Sequence, residues 1–94
     1  MPFTNIRLTT HARQRMQGRQ ISEADVAEVL ATGTVIEEYS DTLPYPSYLM
    51  LGWRANRPLH VVATDNLAGQ FTLIITAYQP GSNEWDADFK VRRS

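Results

Sequence analysis

The stretch Thr10-His11-Ala12-Arg13-Gln14-Arg15-Met16-Gln17-Gly18-Arg19 carries the densest chemistry in this 94-residue chain. Wound as a helix, it sets His11, Arg15 and Arg19 at i, i+4 and i+8, on one face. One titratable imidazole and two permanent cations then form a stripe that could hold a phosphate or a carboxylate. The second histidine, His60, falls in a predicted strand. Imidazole titrates near neutrality, so His11 and His60 are acid–base candidates. Arg15, Arg19 and Arg54 are candidates to stabilise developing negative charge. Tyr78 could donate a proton in place of a histidine, or stack on a base. Tyr45, Tyr48 and Trp53 beside basic residues suit a single-stranded nucleic acid. These groups fit metal-free cleavage of RNA, which needs a base for the 2′-OH, an acid for the leaving 5′-oxygen and a cation for the phosphorane. Each also has a plainer reading. His11 could cap or pack, Arg15 and Arg19 could pair with Glu23, Glu37 or Glu38, and His60 could be a half-core residue between Leu59 and Val61. Tyr78 and Trp85 could simply pack.

The bulk properties narrow the field. The length predicts one domain, residues 1–94, with one modest core. A hydrophobic share of 43% argues against disorder of the whole chain. With no cysteine there is no disulfide framework, thiolate metal site or cysteine nucleophile, which fits a reducing, cytoplasmic setting. No apolar run is long enough to span a bilayer, so no membrane partner is expected. The net charge of −1 counts against a general nucleic-acid binder, but the charge is uneven. Arg7, Arg13, Arg15 and Arg19 all precede the first acid, Glu23, and Lys90, Arg92 and Arg93 close the chain. Two distant histidines and Asp86-Ala87-Asp88 match no metal-ligand spacing. No Gly-rich loop follows a strand, and there is no nucleophile elbow. No metal or cofactor is therefore expected.

The elements that must position these groups can be read from periodicity. Leu8, Ala12 and Met16 predict a helix from Thr10 to Gly18, capped by Thr9 or Thr10. Ser22-Glu23-Ala24-Asp25 reads as the start of a second helix, with Val26, Val29 and Leu30 as its apolar face and Gly33 at its C′ position. Four strands follow: Thr34–Tyr39, Ser47–Arg54, Leu59–Thr64 and Gln70–Tyr78. Pro44 and Pro46 mark a loop between the first two. Short connections favour an antiparallel meander. The expected fold is α+β: two N-terminal helices on one face of a four-stranded antiparallel sheet, then a short C-terminal helix or tail anchored by Trp85 and Phe89. If the more polar sides of the strands coincide, Tyr48, Arg54, His60, Thr76 and Tyr78 share one open face.

Thr10-His11-Ala12-x-x-Arg15-Met16-x-x-Arg19-x-Ile21-Ser22-x-x-Asp25-Val26 resembles the opening motif of a bacterial family catalogued as a domain of unknown function, whose members have the form T-x-H-A-x-x-R-M-x-x-R-x-I. Gly33-x-Val35-Ile36-Glu37-x-Tyr39, Pro58-Leu59-His60-Val61-Val62, Ile75-Thr76-x-Tyr78-x-Pro80 and Trp85 fit as well. That family resembles the RelE- and BrnT-like toxins of the BECR ribonuclease-like fold. The resemblance implies a metal-independent endoribonuclease, with RNA or the ribosome and an antitoxin protein as partners. The positions compatible with the toxins' roles are Arg54, His60, Tyr78 and the C-terminal Arg92 and Arg93. The leading expectation makes His60, Tyr78 and Arg54 catalytic, and gives substrate binding to His11, Arg15 and Arg19. The alternative is a non-catalytic interaction or homodimerisation module, using the Tyr39–Trp53 segment and the Trp85 tail. A small anionic ligand at the His11–Arg15 face is a third reading.

Overall fold

Ser22 and Asp25 settle where the longer helix begins. The Ser22 hydroxyl accepts from the Asp25 amide, and the Asp25 carboxylate accepts from the Ser22 amide, both at 3.0 Å. This reciprocal box satisfies two N–H groups that a helix start leaves free. Thr9 caps the shorter helix in the same way, accepting from the Ala12 amide at 2.9 Å. The computed structural model describes residues 5–92. In chain order they form β1 (Ile6–Leu8), α1 (Thr10–Gly18), α2 (Glu23–Thr32), β2 (Thr34–Tyr39), β3 (Ser47–Arg54), β4 (Arg57–Asn66) and β5 (Phe71–Tyr78).

The five strands form one mixed sheet in the order β1-β5-β4-β3-β2. β2 to β5 make an antiparallel meander, while β1 lies parallel to β5, with Ile6 opposite Thr72 and Leu8 opposite Ile74. This overturns the expected four-stranded antiparallel sheet behind two N-terminal helices: a strand precedes the helices. Ile6-Arg7-Leu8 is one alternation long, too short to register as a period, and its partner lies at the far end of the domain. Of the expected short C-terminal helix or tail, the described residues show the tail. Residues 81–92 make a turn and a looped arm, closed by an isolated bridge between Trp85 and Arg92.

One sheet face packs on the helices. Met50, Leu59, Val61, Ala63, Ile74 and Ala77 meet Ala12 and Met16 of α1, Ile21, and Val26, Val29 and Leu30 of α2. α2 comes so close to β3 because residue 52 is glycine: a Cβ there would stand 2.8 Å from Val29 Cγ2. Gly33 ends α2 in an extended conformation, at φ −80°, rather than the left-handed one expected of a C′ glycine. Its missing side chain instead makes room for the Leu51 carbonyl, 2.6 Å from where a Cβ would lie.

Register decides which residues share a face, and it corrects the expected grouping. Ala55 and Asn56 both have positive φ (49° and 69°), the two-residue turn that matches strand twist and closes β3–β4 with Arg54 opposite Arg57. His60 then pairs with Leu51, so His60 shares its face with Leu49, Leu51 and Trp53. Tyr48 and Arg54 fall on the helix side. Across β4–β5, His60 lies opposite Tyr78 and Val62 opposite Thr76, but a bulge then places Ile74 opposite Ala63. Ile74 thereby joins the helix-side core while Thr76 and Tyr78 stay with His60. The outer face therefore carries His60, Thr76 and Tyr78, without Tyr48 and Arg54.

Candidate active site

Leu49, Leu51 and His60 are buried on the outer face although no helix covers it. The C-terminal arm does. Trp85, itself buried, sets its ring at 4.4 Å and nearly perpendicular to the His60 ring. Phe89 meets Trp53 edge-on at 6.0 Å. The arm is tied down by Arg92, whose Nε and Nη2 reach the Glu37 carboxylate at 3.2 and 3.4 Å and whose guanidinium lies 4.6 Å over the Trp85 ring.

His60 is 0% exposed and fully partnered. Its Nε2 lies 2.8 Å from the Phe89 carbonyl oxygen, and its Nδ1 lies 3.3 Å from Tyr78 Oη. A carbonyl can only accept, so Nε2 carries the hydrogen. Burial pushes the His60 pKa below its ordinary value; the Phe89 bond and Glu37 work against that, and Arg92 works with it. The ring is therefore neutral, Nδ1 is a bare lone pair, and the Tyr78 phenol donates to it. Burial also raises the Tyr78 pKa, with Glu37 and Glu84 adding to the shift and Arg92 and Arg19 opposing it, so the phenol keeps its proton. Glu37 is pulled both ways. Burial would raise its pKa, but the Tyr39 hydroxyl at 2.7 Å and Arg92 outweigh that and keep it ionised.

Tyr78 opens on its other side into a cleft of about 530 Å³. Arg19, Arg57 and Arg92 line it with Gln79, Glu84 and Trp85. Each arginine is placed by a different element. Arg19, at the C-terminus of α1, donates to the Ala77 carbonyl at 2.9 Å. Arg57, the first residue of β4, donates to the Arg19 and Gln20 carbonyls at 2.7 and 2.8 Å and to Gln79 Oε1 at 2.9 Å. It thus caps α1 and joins it to the end of β5. Arg92 comes from the arm. Three guanidiniums against the Glu84 carboxylate of the lining and the Glu37 carboxylate that pairs with Arg92 leave a net positive charge that favours an anion, and a partly buried phenol backed by a neutral imidazole can accept and pass on a proton.

The residues singled out in the sequence divide between locations. His60, Tyr78, Arg19 and Arg92 come together at or behind the cleft. Arg54 does not: it donates to Asp25 Oδ1 at 3.0 Å and to Glu28 Oε1 at 3.4 Å, against α2. The Ser22 amide, more than Arg54, keeps the Asp25 pKa below its usual value, against a counter-effect of burial. His11 and Arg15 are exposed on α1 and do not line the cleft; their side chains have no hydrogen-bond or ion-pair partner among the described residues. Arg93 lies outside the described residues. Sequence reasoning did not find Arg57, Gln79, Glu84, Glu37 or the Phe89 carbonyl. Arg57 had no signal, because its role depends on where α1 ends in space. Among the described residues no group of three or more His, Cys, Asp or Glu is placed to hold a metal ion, and no helix is long and apolar enough to cross a membrane. Asp86, weighed as a metal ligand, instead accepts from the Asp88 and Lys90 amides.

No curated protein and no solved structure matches the chain. A family model matches residues 8–79, which include Arg19, Arg57, Tyr78 and Gln79 of the cleft but not Glu84, Trp85 or Arg92. With so much of its length matched, the chain belongs to that family, the domain of unknown function DUF4258.

Proposed function

We propose that the cleft binds an RNA phosphodiester and cleaves it without a metal. One observation carries the reading: Tyr78, hydrogen-bonded to a neutral His60, opens onto the same cleft as three guanidiniums. Tyr78 Oη takes the proton of a ribose 2′-OH as it passes its own to His60 Nδ1. The 2′-oxygen forms a bond to phosphorus, and the bond from phosphorus to the 5′-oxygen breaks. The products are a 2′,3′-cyclic phosphate and a 5′-hydroxyl whose proton comes from water. Arg19, Arg57 and Arg92 stabilise the charge that builds on the phosphorane oxygens and the departing oxygen. Glu84 accepts from a sugar hydroxyl and discourages a bare dianion. The resemblance of the family to RelE- and BrnT-like toxins supports the same chemistry by analogy of fold, with an antitoxin protein and the ribosome as the partners that go with it. Arg54 has no part in this scheme.

The test is RNA cleavage in EDTA, with and without translating ribosomes, by wild type, Tyr78→Phe and His60→Gln. Wild-type cleavage that leaves cyclic phosphate ends, and falls roughly 10²-fold or more in Tyr78→Phe, is the expected result. Intact RNA under both conditions at high protein concentration would sink the proposal.

A second groove favours a different reading, a non-catalytic interaction module. It measures about 430 Å³ and is lined by Val35, Tyr45, Pro46, Tyr48 and Leu67, with Val35 and Leu67 exposed. Light scattering of the purified chain tests its homodimeric form directly.

A further inference from the structure

We propose that the Phe89 backbone carbonyl is a positioning element of the cleft: it holds His60 as the Nε2–H tautomer, leaving Nδ1 free to receive the Tyr78 proton. The catalytic half of this rests on the proposed function; the tautomer does not.

The arm is built to aim that carbonyl. Phe89 has φ 60°, a left-handed conformation that costs a large non-glycine residue energy. The arm around it is braced from within. Asp86 Oδ1 accepts from the Asp88 and Lys90 amides, the Asp86 carbonyl accepts from the Phe89 amide at 3.0 Å, and the Asp86 amide donates to the Val91 carbonyl at 2.9 Å. Trp85 sets the ring plane of His60 from the side, and the Arg92–Glu37 pair ties the arm to β2. The 2.8 Å bond from Nε2 is the shorter of the two that His60 makes, so the carbonyl decides the tautomer and the phenol follows it. The charged groups around the ring act in opposite directions, Glu37 of β2 raising and Arg92 of the arm lowering its proton affinity. Neither can choose between the two nitrogens as a directed acceptor does. Phe89 lies beyond the residues the family model matches, so the sheet histidine of the matched region is oriented from outside it.

Two substitutions separate this role from mere cover for an apolar face. Phe89→Gly and Phe89→Pro both remove the ring and its contact with Trp53. Glycine adopts φ 60° freely and keeps the carbonyl where it is. Proline is held near −65° and turns it away, and it also lacks the amide hydrogen that Phe89 donates to the Asp86 carbonyl. The readout is the His60 tautomer, from nitrogen–proton correlation spectra of the ¹⁵N-labelled full chain at a pH where the ring is neutral. Wild type and Phe89→Gly are expected to show Nε2–H alone. Phe89→Pro is expected to gain the Nδ1–H form and, in the RNA assay, to lose roughly 10²-fold or more in rate relative to Phe89→Gly. A wild-type tautomer in Phe89→Pro overturns the proposal. Tyr78→Phe supplies a variant with an unaltered arm: Nε2–H must persist there, and a switch to Nδ1–H would show that the phenol, not the carbonyl, sets the tautomer. Should wild type leave RNA intact, the proposed function fails while the tautomer measurements still decide this point.

Discussion

Replacing Gly52 by alanine tests the close approach of α2 to β3. The new Cβ would lie 2.8 Å from Val29 Cγ2 and 3.0 Å from both Val29 Cα and Cβ. Carbon atoms prefer about 3.5–4.0 Å, so α2 must retreat by roughly 0.5–1 Å. Overpacking of this kind costs about 1–3 kcal/mol, and the stiffer unfolded chain returns up to about 1 kcal/mol. A net loss of about 1–2 kcal/mol in a domain of this size lowers Tm by roughly 5–15 °C. Gly18→Ala is the matched control, since a Cβ there meets nothing within 4 Å and the residue closes a helix. Alanine should stabilise it by about 0.5–1 kcal/mol, raising Tm by roughly 2–8 °C. Thermal unfolding followed by circular dichroism reads both. Gly52→Ala melting at or above wild type would refute the close-approach argument, and two variants shifting in the same direction would refute the contrast.

Three further outcomes follow from the same geometry. Burial lowers the His60 pKa below its unfolded value, so the stability gained from the neutral ring is full above about pH 6.5 and is lost as pH falls through the folded-state value; a histidine NMR titration giving His60 a midpoint above 6.5 would contradict this. Arg54→Ala breaks pairs with Asp25 and Glu28 that are partly exposed, and should cost no more than about 1 kcal/mol in chemical denaturation while leaving RNA cleavage unchanged, whereas Arg57→Ala should reduce cleavage. Ser22→Ala removes the N-cap acceptor of α2 and should cost about 0.5–2 kcal/mol, checked by urea unfolding with unchanged m-value.

How much of this could be read beforehand depended on the range of each signal. The starts of both helices were legible because caps act within three residues: Thr9, Ser22 and Asp25 are where the side-chain oxygens had to be. The meander was legible because its turns are short. The faces of β3 were not. Leu49, Leu51 and Trp53 alternate with Tyr48, Met50 and Gly52, so both sides are apolar, as befits a strand covered by α2 on one side and by the arm on the other. Arg54 was therefore grouped with His60, and only the Ala55-Asn56 turn separates them. The bulge that moves Ile74 to the core side had no mark in the alternation of Phe71 to Tyr78. His60 and Tyr78 share a face because that bulge lies beyond them. Arg57 and the Phe89 carbonyl act through backbone positions, which residue type does not announce.

The parallel pairing of β1 with β5 has a consequence for the order of assembly. β2 to β5 join neighbours through short turns, so each ladder encloses little chain and costs little closure entropy. The Ile6–Thr72 pairing encloses both helices and strands β2 to β4 before its few bonds return anything. The last ladder to close is therefore the one at the N-terminus. Until it does, the outer edge of β5 stands open on the growing nucleus, and protection of the Thr72 amide, which donates to the Asn5 carbonyl at 2.8 Å, marks the moment the fold is complete.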